Sequence, residues 1–440
     1  MIEIIPGSQY QSHPKIRRIL SRRQSMDPKV FRAVEAIVGR VRKDGDLALR
    51  QLTQNLDGVQ LRAIRFPFSR IERQAARASA ALRRAIAQAR HHIEAFHRRQ
   101  VERSWTISRG FGASVGQRLT PIAALGLYVP GGTAAYPSTV LMNAIPAQVA
   151  GVRRIAVVTP PGNLEHNPGL AAALVELNLE EVYAVGGAQA VAALAYGTPT
   201  IPRVDKIVGP GNRYVAAAKR MVYGTVDIDM IAGPSEVVVV ADSTAQARWV
   251  AADLLAQAEH DVHASAICIT RSNDLARRIQ DEVEEQMAWL ERSAICRRSI
   301  DALGAVIVAR SQSQIEMIVN ELAPEHLELH LRRPEPFSRR IRNAGAIFLG
   351  AYSPEAVGDY FAGPNHVLPT SGTARFSSPL GVYDFIKRTS IIRYSRKRFE
   401  RDARAIIQLA RAEQLTAHAR SVEIRLRGKT IETKSLKRTD

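Results

Sequence analysis

The chain has only two cysteines in 440 residues, Cys268 and Cys296. Two thiols can build neither a disulfide framework nor an all-thiolate metal centre, and a reducing cytoplasm suits them. Cys268 lies in the apolar run AICIT, which reads as a buried strand. No apolar run approaches the roughly eighteen residues of a membrane span. The opening MIEIIPGSQYQSHPKIRRIL has no stretch apolar enough for a secretory signal, so no membrane partner is expected. No segment is low in complexity. The dinucleotide fingerprint G-x-G-x-x-G follows no strand-like run, so pattern alone names no nicotinamide cofactor.

Acidic residues are scarce at the ends. The net charge is +19, but residues 1–120 hold 24 Lys+Arg against 9 Asp+Glu, and residues 387–440 hold 16 against 6. The middle is mildly acidic, with 21 against 27. Many of the N-terminal arginines, in IERQAARASAALRRAIAQARHHIEAFHRR, fall on the polar side of an amphipathic helix pattern. A basic scaffold binding nucleic acid through its ends is the competing reading, and the chemistry-bearing middle argues against it.

Length points to two large lobes. Residues 26–103 read as helices, with a Gly-Asp break inside VRKDGDLALRQ. From about residue 120 short apolar runs alternate with helices: IAALGLYV, RIAVVTP, EVYAV, KIV, EVVVVA, ASAICIT, GAVIV and GAIFLG. Ser138 is expected to cap one helix, and Asn167 with Pro168 to open another. Such alternation predicts an α/β architecture with parallel sheets. After about 381 the rhythm stops and a basic helical tail is expected. The Gly-rich segments VGGAQA and GPGNRY follow strands, where backbone N–H groups either meet an anion or simply turn the chain.

Polar residues gather in four places. In LLAQAEHD, Gln257 and His260 are three apart and share a helical face, so they can ligate one ion or stand in solvent, and His263 competes as a partner. In APEHLEL, Glu325 and His326 are the residue types of a general-base pair, or else a helix start. GDYFAGPNHVLPT puts Asp359 seven residues before His366, on a segment stiffened by two prolines. AEQLTAHA places Glu413 five before His418. Glutamine, histidine and aspartate make an N/O ligand set suited to zinc or a similar divalent ion.

These segments, with GLYVPGGTAAYPSTVLMNAIPAQVAGV, VDKIVGPGNRYVAAAK, IDMIAGPSE and GPNHVLPTSGTARFSSPLGVYDFIKRTS, resemble the histidinol dehydrogenase family over about residues 20–425. The resemblance implies oxidation of L-histidinol to L-histidine in two NAD-dependent steps through the aldehyde, ending histidine biosynthesis. It implies zinc on Gln257, His260, Asp359 and His418, the last crossing from the other subunit of a homodimer. Glu325 and His326 become the acid/base pair. Ser235, His326, His366, Glu413 and the four ligands become substrate contacts, and Tyr128, Gln189 and Asn212 contact NAD. Two Rossmann-like domains with parallel-rich sheets are implied, with a helical N-terminal region and an extended C-terminal helical tail. The expected division is an arm at 1–23, a discontinuous domain of 24–127 with 236–380, an NAD-side domain at 128–235, and a tail at 381–440. Gln414 stands where the family usually has glycine. Related members oxidise other small alcohols, so substrate identity rests on Glu413 and His418.

Overall fold

Runs such as EVVVVA, SAICIT and AVIV carry β-branched residues on both faces, so each strand must be covered on both sides. The computed structural model describes residues 1–21, 27–131, 137–231 and 233–426. In it these runs form the middle of a six-stranded sheet, ordered Glu3–Pro6, Ala305–Val308, Ser265–Thr270, Glu236–Ala241, His326–His330 and Ala346–Leu349, with every pairing parallel. Successive side chains separate to opposite faces. Val237, Val239 and Cys268 pack with Leu254 and Ile279, while Val238, Val240 and Ile267 pack with Leu327 and Ile318.

A second parallel sheet has five strands, ordered Val182–Ala184, Arg154–Thr159, Ala124–Tyr128, Lys206–Val208 and Asp227–Ile228. Numbered by appearance in the chain, the order is 3-2-1-4-5, the doubly wound pattern of mononucleotide-binding folds. The larger sheet repeats that order from Glu236–Ala241 onward, with Glu3–Pro6 added at its edge. The expected α/β fold with two Rossmann-like, parallel-rich sheets is what the chain adopts. Among the described residues no helix is long and apolar enough to cross a membrane.

Both sheets belong to one compact unit, Met1–Val101 with Pro121–Phe385; Glu102–Thr120 and the chain from Ile386 onward form another. The second unit holds a three-stranded sheet, ordered Ile386–Arg393, Ala113–Pro121 and Trp105–Gly110, and the helices Arg396–Ala412 and Thr416–Leu426. The tail is therefore not helical throughout. Its strand escaped the sequence reading because it buries no face: seven of the eight residues of Ile386–Arg393, and all six of Trp105–Gly110, are exposed. A strand is recognised by alternation, which Ile386–Arg393 lacks and Trp105–Gly110 shows only over its first four residues.

Two helix starts differ from expectation. The helix Pro137–Ala150 already includes Ser138, so Ser138 lies inside the first turn rather than before it. Asn167 does precede the helix Pro168–Glu176 but makes no capping bond, because its amide Nδ2 donates back to the carbonyl of Asn163. The Gly-Asp break is present: Gly45, at φ 54°, interrupts the helical stretch Pro28–Asp57.

Leu254 is fully buried on the helix Ala247–Ala258, whereas Trp289 is 84% exposed. Leu254→Ala is expected to lower unfolding free energy by about 2–5 kcal/mol. Trp289→Ala should change it by less than about 0.5 kcal/mol. Urea titration of the two variants checks the contrast.

Candidate active site

Alternation in HLELH sends His326, Glu328 and His330 to one face of their strand and Leu327 and Leu329 to the other. The polar face meets the helix Ala247–Ala258, where Asp253 and Gln257 are one turn apart. Two contacts document this. His326 Nδ1 lies 3.2 Å from Gln257 Oε1, and His330 Nε2 lies 3.1 Å from Asp253 Oδ2.

His326 is the hub. Its Nδ1 also lies 3.2 Å from the carbonyl of Glu236, and two acceptors at that nitrogen select the Nδ1–H tautomer. Nε2 is then the basic nitrogen. It is buried, has no hydrogen-bond partner, and stands 3.7 Å from Asp359 Oδ1. The carboxylates of Glu325 and Glu355 are each 3.8 Å from Nδ1. Burial works to lower the imidazole's pKa, but the charges of Glu355, Glu325 and Asp359 outweigh it and the value is raised.

Adjacent residues of a strand point apart, so Glu325 and His326 could share a site only through a turn. Ala323 supplies it, at φ 48° in the left-handed region, and Glu325 precedes the strand rather than starting a helix. Its carboxylate accepts the N–H of Glu236 at 3.0 Å. Burial raises its pKa to about 7, against the opposing charge of His326.

Asp359 comes from the short helix Glu355–Tyr360, whose backbone N–H at Glu355 donates to Glu328 Oε1 at 2.7 Å. Burial would raise the Asp359 carboxyl, but His326, His366 and His260 together hold it below its ordinary value. Ligand atoms of His260, Glu355 and Asp359 lie within 4.8 Å of one another. His260 itself follows the helix end, in a turn where its N–H donates to the carbonyl of Gln257. His263 joins no such group among the described residues. Glu355 escaped the sequence reading, although its i,i+4 spacing from Asp359 on one helix was the available signal. Glu328 and His330 escaped too, although their period-two spacing from His326 was the available signal.

The GPNHVLPT segment is fixed from several sides. Gly363 has φ 109°, and a Cβ there would meet the carbonyl oxygen of His92 at 2.8 Å. Asn365 is buried; its Oδ1 accepts the N–H of Val367 and its Nδ2 donates to the carbonyl of Met142 at 2.6 Å. Met142 lies four residues before Pro146 in the helix Pro137–Ala150, and proline has no N–H to give that carbonyl. Asn365 supplies the missing donor. His366 Nδ1 lies 3.0 Å from the carbonyl of Asp359, leaving Nε2 for a ligand. Asp359 and His366 both line a cavity of about 340 Å³. Ser235, half-buried, immediately precedes Glu236.

The other candidates stand elsewhere. Tyr128 ends its strand at the point where strand order reverses, and its hydroxyl accepts the N–H of Gly187 in VGGAQA at 3.0 Å. Gln189 is 1% exposed, with Oε1 unpartnered. Asn212 caps the helix Arg213–Val222, its Oδ1 accepting from Tyr214 and Val215, so its amide N–H groups remain to donate. Glu413 and His418 belong to the second compact unit, both exposed; Glu413 ends one helix and His418 lies in the next. Between them Gln414 holds φ 60°, the left-handed conformation that glycine adopts more readily.

The donor set suits a divalent ion. It is all nitrogen and oxygen, and His326 Nε2 and Glu355 Oε2, both able to ligate or accept, are buried without hydrogen-bond partners. The orphaned Gln189 oxygen and the glycine loops equally suit a dinucleotide.

Comparison with known proteins agrees in one direction. A family model described as histidinol dehydrogenase matches residues 20–426. The chain is 50% identical over 392 residues to a histidinol dehydrogenase of Listeria monocytogenes, covering 89% of this chain and 92% of that one. Against the histidinol dehydrogenase of Halalkalibacterium halodurans it is 52% identical over 395 residues, with 90% and 93% coverage. The crystal structure of histidinol dehydrogenase from Elizabethkingia anophelis superposes with a TM-score of 0.90 at 36% identity, covering 97% of this chain and 98% of that one.

Because Glu325 titrates near 7 when folded, the folded protein takes up a proton between the ordinary carboxyl value and about 7. This group's contribution to stability therefore falls as pH rises through that window. Glutamine has no such titration. In chelator-treated protein, the melting temperature of Glu325→Gln relative to wild type should rise between about pH 5 and about pH 8. Thermal melts at both values check it; a constant difference would mean that Glu325 is not held neutral by burial.

Proposed function

The chain belongs to the histidinol dehydrogenase family, oxidoreductases of histidine biosynthesis, and we propose that it converts L-histidinol to L-histidine in two NAD-dependent hydride transfers through L-histidinaldehyde. The observation that carries the reading is the convergence on His326: a basic nitrogen without a partner, a carboxyl of raised pKa, and an N/O donor set around both. In this reading residues 128–235 form the dinucleotide side, and the setting is cytoplasmic.

Gln257, His260, Asp359 and the partner's His418 would hold zinc, which supplies a fixed template for the substrate's imidazole and amine. The protein's own groups do the rest. His366 and Ser235 orient the carbinol, and a stiff loop keeps that orientation. As hydride leaves the carbinol carbon for nicotinamide, His326 Nε2 takes the hydroxyl proton, which it can do once a cation beside its carboxylates brings down the raised pKa that otherwise keeps the imidazole protonated. In the second step water adds to the aldehyde, Glu325 accepts the water proton, and a second hydride leaves the hydrated carbon. Glu355 balances the charge that His326 acquires. Tyr128, Gln189 and Asn212 hold the dinucleotide on the carboxyl side of the smaller sheet. Glu413 stands with His418 on the tail that crosses to the second subunit of a homodimer.

One L-histidinol should yield two NADH, and other amino alcohols should react far more slowly. A chelator should abolish the activity and zinc restore it. Full activity in demonstrably metal-free protein would remove zinc from the reading.

The shared site has its own test. Co-expression of a His418→Asn chain with a His326→Gln chain should restore roughly a quarter of wild-type sites, because half the dimers are mixed and each has one intact site. Mixed dimers that stay as inactive as their parents would place His418 in its own chain's site.

A further inference from the structure

The loop GPGN, residues 209–212, leaves the strand Lys206–Val208 at the reversal point of the smaller sheet. Its first residue is held with unusual completeness. The N–H of Gly209 donates to Asp229 Oδ2 at 2.8 Å, and its carbonyl accepts from Lys219 Nζ at 3.1 Å. Lys219 and Asp229 also form a salt bridge with each other, their side chains 3% and 1% exposed. Asp229 Oδ1 further accepts the N–H of Met230 at 2.6 Å. Gly209 has φ 107°, and a Cβ on it would come within 2.1 Å of the carbonyl oxygen of Tyr128. The loop is thus pressed against the end of the neighbouring strand.

A buried ion pair is seldom the most stable filling for such a space, since well-packed apolar residues often serve as well or better. Here both charges act on the two polar backbone atoms of one residue. That residue begins the loop that ends in Asn212, whose side-chain oxygen is already committed to capping. What the pair fixes is where the loop's remaining donors point.

We propose that Lys219 and Asp229 are positioning residues for the dinucleotide: without touching it, they clamp Gly209 so that the GPGN loop meets the cofactor in one geometry. The proposal rests on the reading of GPGN and VGGAQA as NAD-binding loops. A displacement of this loop by about an ångström would weaken binding by roughly tenfold to a hundredfold.

The test replaces both charges together, Lys219→Met with Asp229→Leu, so that neither is left buried and unpaired. NAD affinity is measured directly by calorimetric titration, beside melting temperature, metal content and the KM for L-histidinol. The expected result is a melting temperature near wild type, unchanged metal content and histidinol KM, and a Kd for NAD raised at least about tenfold. A folded double variant with wild-type affinity for NAD overturns the proposal, as does a parallel rise in the KM of both substrates. Should the double variant fail to fold, Lys219→Met with Asp229→Asn decides, since it removes the donor to the Gly209 carbonyl and leaves no buried charge: an unchanged Kd overturns the proposal and a rise of several-fold supports it. Asn212→Ala separates the underlying reading, because unchanged NAD affinity there would mean that this loop is not the cofactor site.

Discussion

An imidazole surrounded by three carboxylates, all withdrawn from water, is the constraint around which the larger sheet is arranged. Each group is costly to bury alone and tolerable only in the others' company. The surrounding structure is organised to keep them together. A strand with one polar face, a helix with polar residues one turn apart and a returning helix with two acids at i,i+4 spacing all converge there. The backbone contributes as well, since Glu236 gives its N–H to Glu325 and its carbonyl to His326. A group of this kind is poised: small additions of charge, from a metal ion or a substrate, change which member holds the proton.

The sequence made the architecture legible because the relevant strands are short, apolar and separated by helices. It also marked Gln257, His260, Glu325, His326, Asp359 and His366, which chain folding brings into one neighbourhood. Glu355 stayed hidden because acids at i,i+4 on a helix usually face solvent, and only burial distinguishes this one. The three-stranded sheet stayed hidden for the opposite reason. Its two outer strands bury almost nothing, so the apolar pattern that records them is short or missing. Glu413 and His418 stood out as a spaced pair, but their roles were legible only through family resemblance, since both are exposed on a unit with a sparse core of its own.

The two parallel sheets share a strand order but carry their candidate residues at opposite ends. In the smaller one, Tyr128 and both glycine loops lie at the carboxyl ends of strands, where open α/β sheets ordinarily take ligands. In the larger one, Glu325, His326 and Ser235 lie at the amino ends. At the carboxyl ends of the larger sheet, Asp242 ties two strand ends together, its N–H donating to the carbonyl of His330 and its side chain accepting the N–H of Arg332. One strand order therefore serves two different placements of polar residues.

The defect at Pro146 has a wider meaning. A helix that cannot satisfy one of its own carbonyls would ordinarily be improved by replacing the proline, and a stability screen would favour that change. Here the defect is the vacancy into which Asn365 fits. Repairing the helix gives the Met142 carbonyl a competing donor and loosens one of the bonds that hold Asn365. Positions 146 and 365, more than two hundred residues apart in the chain, are thus joined through one carbonyl, and what reads as a flaw in the helix is what leaves that carbonyl to the loop.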